Sequence, residues 1–362
     1  MKHNWEYKKF GEIATTITPN KKLDKSNYLL EGIYPIISQE ECYISGFWND
    51  PNDLTKIENP VVVFGDHSRV LKYIDFDFIV GADGVKIINP CKNIRAKFLY
   101  YYLKWLNIPS LGYSRHFKLL KEYNYPVPPL DMQERIVVEL DAINSGIEEL
   151  RKQVKDLDSL AQTLFYETFG DPISNPKDWP VKKLGKICEF KGGGTPAKSN
   201  PDFYTGNIPW ASVRDMTDFY LTTTEFQITQ EAVTLSATNI IPKGTIIIST
   251  HVGLGKICLL MQDTAINQDL KGLFFNVDIP QNYFVHWYKN ISQLIIDRGR
   301  GATVKGVTLD FMKNISFISP PLALQEQFAK QIEEIEKMKR ELEAQIAEAQ
   351  TLLDSRMDYW FN

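Results

Sequence analysis

Apolar residues recur at steps of four and three along one stretch: Ile136, Leu140, Ile143, Ile147, Leu150, Val154, Leu157, Ala161 and Leu164. That spacing is a heptad seam, and it predicts a long helix that pairs with another. A second series keeps the same steps: Phe328, Ile332, Ile335, Lys339, Leu342, Ile346, Ala349, Leu353 and Arg356. Lys339 and Arg356 are its two charged exceptions. Elsewhere the period changes. Short β-branched runs at 60–64 and 245–249 predict strands, and residues 98–106 and 283–294 predict amphipathic helices. Gly- and Pro-bearing loops separate them. The expected fold class is α+β, with two mixed globules joined by two long antiparallel coiled-coil helices. At ~1.5 Å per residue, a rod of ~38 residues spans ~57 Å. Gly146 is a blemish in the first rod, costing about 1 kcal/mol relative to Ala.

Both rods open on one sentence, PPLDMQE at 128–134 and PPLALQE at 320–326. Two prolines cannot extend a helix backwards, so they mark a sharp joint between globule and rod. Asp131 is the expected N-cap, with Glu134 in capping-box spacing. Ala323 replaces that Asp in the second copy, so the second cap is expected to be weaker.

The joint belongs to a longer repeat. NWEYKKFGEI at 4–13 resembles DWPVKKLGKI at 178–187, sharing Trp-x-x-Lys-Lys-x-Gly-x-Ile. Gly32, Pro35 and Ser38 fall on Gly206, Pro209 and Ser212 at that same offset, and Phe169 matches Phe361 near the ends of the two copies. One unit is written twice, as an internal pseudo-two-fold repeat. The expected boundaries are 1–130 and 171–321 for the globules and 131–170 and 322–362 for the helices.

Overall charge is −4, an unhelpful average for an anionic partner. It conceals a segregation: residues 1–130 and 172–321 carry +3 each, while 131–171 and 322–362 carry −6 and −4. Nucleic acid is therefore not excluded as a partner of the globules. Cys42, Cys91, Cys188 and Cys258 are scattered, which argues against a zinc site or a disulfide framework and for a cytoplasmic protein. No run approaches the ~18 apolar residues of a membrane span.

Chemistry-bearing patterns are sparse. Asp178, Glu189 and Lys191 have the spacing of a metal-dependent nuclease, but the first copy has Asn4, Thr15 and Ile17 in their places. The Pro pairs follow Val127 and Ser319 and precede Leu, which is not the Asp/Asn-Pro-Pro-aromatic signature of an adenine methyltransferase. There is no Gly-x4-Gly-Lys-Ser/Thr phosphate loop.

In this order and on this repeat, the chain resembles the specificity subunits of type I restriction–modification systems. The resemblance rests on the paired PPL-x-x-Q-E sentences, the Trp-x-x-Lys-Lys-x-Gly openings and GGGTPAK (192–198). GNIPW (206–210), INQDLKG (266–272) and GATVKGVTLDFMK (301–313) add to it. The first globule departs from the wording, with ATTITP and GIYPI. The resemblance implies two target-recognition domains that each read half of a split double-stranded DNA target, with helices that set the gap. It implies a non-catalytic chain that docks two methyltransferase subunits. S-adenosylmethionine is then expected on the methyltransferase and none on this chain. Motor-nuclease restriction subunits would complete the complex. A structural coiled-coil adaptor and a nuclease built on Asp178, Glu189 and Lys191 are the alternatives.

Candidate DNA contacts come from basic residues in the globules. Lys8, Lys9, Lys182 and Lys183 recur beside the opening Trp and face either phosphates or solvent. Lys198 follows a Gly run. Arg298, Arg300 and Lys305 make a dense basic loop suited to bidentate pairing with guanine, and Arg115, His116 and Lys118 are its first-copy counterpart. His67, Arg69 and His251 follow predicted strand ends. Trp5, Trp179 and Trp210 are expected in the core.

Overall fold

A computed structural model describes residues 5–112, 114–300 and 306–362. The chain divides into two compact units, Met1–Lys152 with Leu342–Asn362, and Gln153–Glu341.

In the first unit the apolar run forms strand Val61–Gly65, which is buried throughout. Its alternate residues serve two cores. Val62 and Phe64 pack with Phe98 and Leu99 of helix Ala96–Leu106. Val61 and Val63 pack with Ile37, Ile74, Val80 and Ile87. A strand covered on both faces reads as a continuous apolar run rather than an alternation, as it does here. Its sheet has the order Ala14–Ile17, Val85–Pro90, Val61–Gly65, Leu71–Ile74, and all its pairings are antiparallel. A second sheet places Phe78–Gly81 beside Tyr34–Ile37 in parallel, with Gly46–Trp48 beyond.

The second unit repeats this plan. Cys188–Gly192, Leu270–Phe275, Ile246–Ser249 and Ile257–Leu260 lie in the same order, with Tyr220–Leu221 added at the edge. Ile246 and Ile248 enter one core and Ile247 the other. Thr264–Ile266 lies parallel to Ile208–Ala211, with Phe226–Ile228 beyond. The repeat found in scattered residues is thus a repeat of topology.

The heptad series form helices Leu130–Phe169 and Leu322–Phe361. All eighteen seam positions are buried or half-buried. In the first unit Ile136, Leu140, Ile143 and Ile147 share a core with Ile346, Ala349, Leu353, Met357 and Phe361. In the second, Leu157, Ala161 and Leu164 share one with Phe328, Ile332 and Ile335. Within each unit the two helices therefore run antiparallel. The charged exceptions are answered by acids on the other helix. Arg356 pairs with Glu139, and Lys339 Nζ lies 2.6 Å from Asp158 Oδ1. The matched phenylalanines do matched jobs: the Phe361 ring sits 5.7 Å from Phe98, and Phe169 sits 4.7 Å from Tyr283.

The joints differ from expectation in one respect. The helix begins at Leu130, and the Pro129 carbonyl accepts the first helical bond from Gln133 N at 3.0 Å. Asp131 therefore lies inside the first turn and favours the positive end of the helix dipole without being the N-cap. The motif's Gln is what ties the joint. Gln133 Nε2 donates to the Pro128 and Asn93 carbonyls at 2.8 Å, and its Oε1 accepts from Arg95 N at 2.8 Å. Gln325 Nε2 likewise donates to Pro320 at 2.8 Å. Both glutamines are buried. No helix among the described residues is long and apolar enough to cross a membrane.

Candidate nucleic-acid interface

In the first unit the loop after Val61–Gly65 is held against the loop after Phe78–Gly81. Asp66 N donates to the Gly84 carbonyl at 2.6 Å. Gln39 bridges the two loops: its Nε2 donates to Asp83 O at 3.0 Å and its Oε1 accepts from His67 N at 3.2 Å. A side chain at Gly84, whose φ is +90°, would run into Gln39. On this frame stand Asp83, whose side chain is 93% exposed, and Lys22, 3.0 Å from it. The Lys22 hydrogen bond and charge hold the Asp83 carboxyl below its ordinary pKa, and Arg115 and His67 act in the same direction. Lys86 lies 4.0 Å from Asp66. His67, Arg115, Lys22, Asp83 and Lys86 therefore form one polar surface.

The second unit builds its counterpart by the same bonds. Thr250 N donates to the Asp269 carbonyl at 2.8 Å, as Asp66 N does to Gly84. His251 Nδ1 is 3.8 Å from Asp269 Oδ1. Lys271 Nζ donates to the Gln268 carbonyl at 2.6 Å. The Gly run packs close rather than merely flexing: Gly194 N donates to Ile266 O at 3.0 Å, and a Cβ at Gly193 would overlap that carbonyl. Thr195 is thereby delivered to Gln268, whose Oε1 accepts its hydroxyl. Two concavities open here. One of about 570 Å³ is lined by Thr195, Lys198, Arg214, Phe226 and Gln268 among others. The other, of about 460 Å³, is lined by His251, Lys271, Arg300 and Thr308 among others.

The expected contacts divide into groups. His67, Arg115, Lys198, His251 and Arg300 reach these surfaces. Lys118 and Arg298 are exposed, Arg298 as the last residue of helix Gln281–Arg298. Lys305 lies outside the described residues. His116 is a correction: it is fully buried, with Nδ1 2.9 Å from Asp66 O and Nε2 accepting from Leu111 N at 2.9 Å. It braces the loop from inside, and a duplex cannot reach it. Arg69 is half-buried: with φ +63°, it donates through Nη1 to the Ile108 carbonyl at 2.7 Å, tying the loop to its own globule.

Lys8, Lys9, Lys182 and Lys183 lie on separate two-stranded sheets, beside the strands that lead into the joints. Lys9 Nζ donates to Glu122 O at 3.2 Å and Lys183 Nζ to Asn314 O at 2.9 Å, the same tie in each copy. The three tryptophans behave as expected. Trp210 is buried, while Trp5 and Trp179 are half-buried against the two main cores.

Sequence reasoning missed Lys22, Asp83, Lys86, Arg214, Gln268 and Lys271. The signal for the last two was the INQDLKG stretch itself. Nuclease chemistry finds no support. Asp178 closes a turn onto Asn175, whereas Glu189 and Lys191 share an exposed face of strand Cys188–Gly192. Among the described residues no group of three or more His, Cys, Asp or Glu could hold a metal ion.

What such a surface can do is read a base edge and hold a phosphate: it presents donors, acceptors and cations on loops braced by a sheet. Comparison with known proteins agrees. The "Type I restriction modification DNA specificity domain" family matches residues 2–157 and 176–349. The EcoR124I/EcoR124II specificity subunit of Escherichia coli is 28% identical over 344 residues, covering 89% of this chain and 84% of that one. The MjaIX specificity subunit of Methanocaldococcus jannaschii is 31% identical over 156 residues, 41% of this chain and 36% of that one. The crystal structure of a type I S subunit from M. genitalium superposes with a TM-score of 0.57 at 16% identity, covering 98% of this chain and 96% of that one. The chain belongs to the type I restriction–modification DNA specificity family, and it is the non-catalytic DNA-recognition subunit of such a system.

Proposed function

We propose that each unit reads one half of a bipartite, asymmetric DNA target, and that the paired helices fix the distance between the halves. The observation that carries this reading is the repeated frame with differing loop tips, Asp83 in one unit and Gln268 in the other. One frame presented twice reads twice; different tips read different bases. The acidic helices and their joints dock two methyltransferase subunits, which hold S-adenosylmethionine, and restriction subunits join that complex. The adenine chemistry belongs to those partners.

The test is a domain exchange in the complete complex. Residues 1–130 are replaced by the first domain of another family member, and methylated sites are mapped across a host genome. One half-target should change while the other half stays. A change in both halves, or in neither, would overturn the assignment of one unit to one half.

A further inference from the structure

The two reading loops share a backbone frame, a histidine and a lysine but differ at the tip, and we propose that the tip residue sets the base at one position of each half-target. Asp83 accepts a hydrogen bond from the exocyclic amino group of cytosine. Gln268 pairs bidentately with adenine. The inference rests on the DNA-reading role above and names the side chains that carry its specificity.

Equivalence of the two positions comes from backbone bonds. Gly84 and Asp269 are the carbonyls that accept from Asp66 N and Thr250 N. Asp83 and Gln268 immediately precede them, and both are exposed. His67 and His251 immediately follow the two donors. Lys86 and Lys271 take matching register places, opposite Phe64 and Ile248. So a histidine and a lysine are common to both copies, at the same places on the same frame.

A role common to both halves of a target is contact with phosphates, which are alike everywhere along the duplex. A role that must differ is base readout. Asp83 and Gln268 differ between the copies, and both stand exposed at the tip of their loop.

The chemistry of each tip then limits its partner. Asp83 is held ionised by Lys22, which occupies Oδ1, so its other oxygen can only accept. An accepting carboxylate suits the cytosine N4 amino group and repels the guanine O6 and N7 acceptors. Gln268 has an acceptor and a donor side by side, the pattern that matches adenine N6 and N7. Thr195 fixes which way that amide points, by donating to Oε1.

The experiment uses the full chain in complex with its own system's methyltransferase subunits. Wild type, Asp83→Asn, Gln268→Glu, Lys86→Gln and Lys271→Gln are each used to select from a randomised duplex library, and affinity for random DNA is measured alongside. The changes at the tips are isosteric, and retained affinity for random DNA reports a folded surface. Wild type should select a split motif with cytosine in one half and adenine in the other. Asp83→Asn should weaken discrimination at one position of one half by about 5- to 150-fold. Gln268→Glu should move the selected base from adenine to cytosine in the other half. The two lysine variants should weaken all sequences alike and leave the motif unchanged. An unchanged motif in both tip variants, or equal loss on cognate and random DNA, would overturn the inference alone. Failure of the wild type to select any motif would overturn the DNA-reading role with it.

Discussion

Gln325 Nε2 donates to the Pro320 carbonyl at 2.8 Å, while Gln325 Oε1 is buried with no hydrogen-bond partner among the described residues. In the other joint the matching oxygen of Gln133 accepts from Arg95 N, the N-cap of helix Ala96–Leu106. The N-cap of the matching helix is Pro280, which has nearly the same backbone angles but no N–H to give. One imino acid thus leaves one buried oxygen unsatisfied.

Substitution should expose this asymmetry. Gln133→Leu removes three hydrogen bonds and should cost about 3 kcal/mol, whereas Gln325→Leu should cost about 1 kcal/mol. Pro280→Ala restores a donor and should show a favourable coupling of about 1 kcal/mol with Gln325, lost in the Gln325→Leu background. Hydrogen exchange measures each unit separately. Equal costs at the two glutamines would contradict the account.

Gly146 lies on an exposed helix face with open space where a Cβ would stand. Gly146→Ala should stabilise the first unit by about 1 kcal/mol, because glycine loses more backbone freedom in a helix. A thermal melt that moves down rather than up would refute this.

The seam lysine makes a prediction of unusual sign. Lys339 is mostly buried, and Asp158 and Glu336 neutralise it. Asp158→Ala removes the nearer acid and should cost about 1 kcal/mol. Lys339→Leu completes the apolar seam and should be neutral or stabilising. Chemical denaturation of the two variants checks the order.

His286 gives the second unit an acid limit. Burial lowers its pKa from 6.5 to about 4. The unfolded chain takes up the proton first, so this contribution is complete above about pH 6.5 and is lost as pH falls toward 4. The loss between pH 7 and 5 should be about 2 kcal/mol. His286→Leu should flatten that part of the stability profile. An identical profile in the variant would show that other groups carry it.

The rods and strands were legible because burial on one face or two leaves a period in the chain. Ile136 to Leu164 and Val61 to Phe64 show it directly. The joint was half legible. Two prolines announce a break, but nothing in the pattern shows that Gln133 is buried, because a satisfied amide and a solvated one are written with the same letter. His116 misled for the same reason. Charge near a turn looked like a surface, yet its ring braces Asp66 from within. Asp83 and Gln268 left no periodic trace at all. An exposed loop tip is unconstrained by packing, so the equivalence of the two tips emerged only when backbone bonds aligned the two copies.

Phe361, Met357 and Leu353 are buried in the first unit's core although they come from the far end of the chain. The second unit is contiguous, from Gln153 to Glu341, and the first is not. On the ribosome the order of maturation is therefore reversed. The unit begun first waits for roughly 190 further residues, about 10 to 40 s at ordinary synthesis rates, before its last core side chains exist. Until then Phe98, Tyr102 and the seam from Ile136 to Ile147 lack their cover, and the nascent chain is most open to capture by chaperones or proteases.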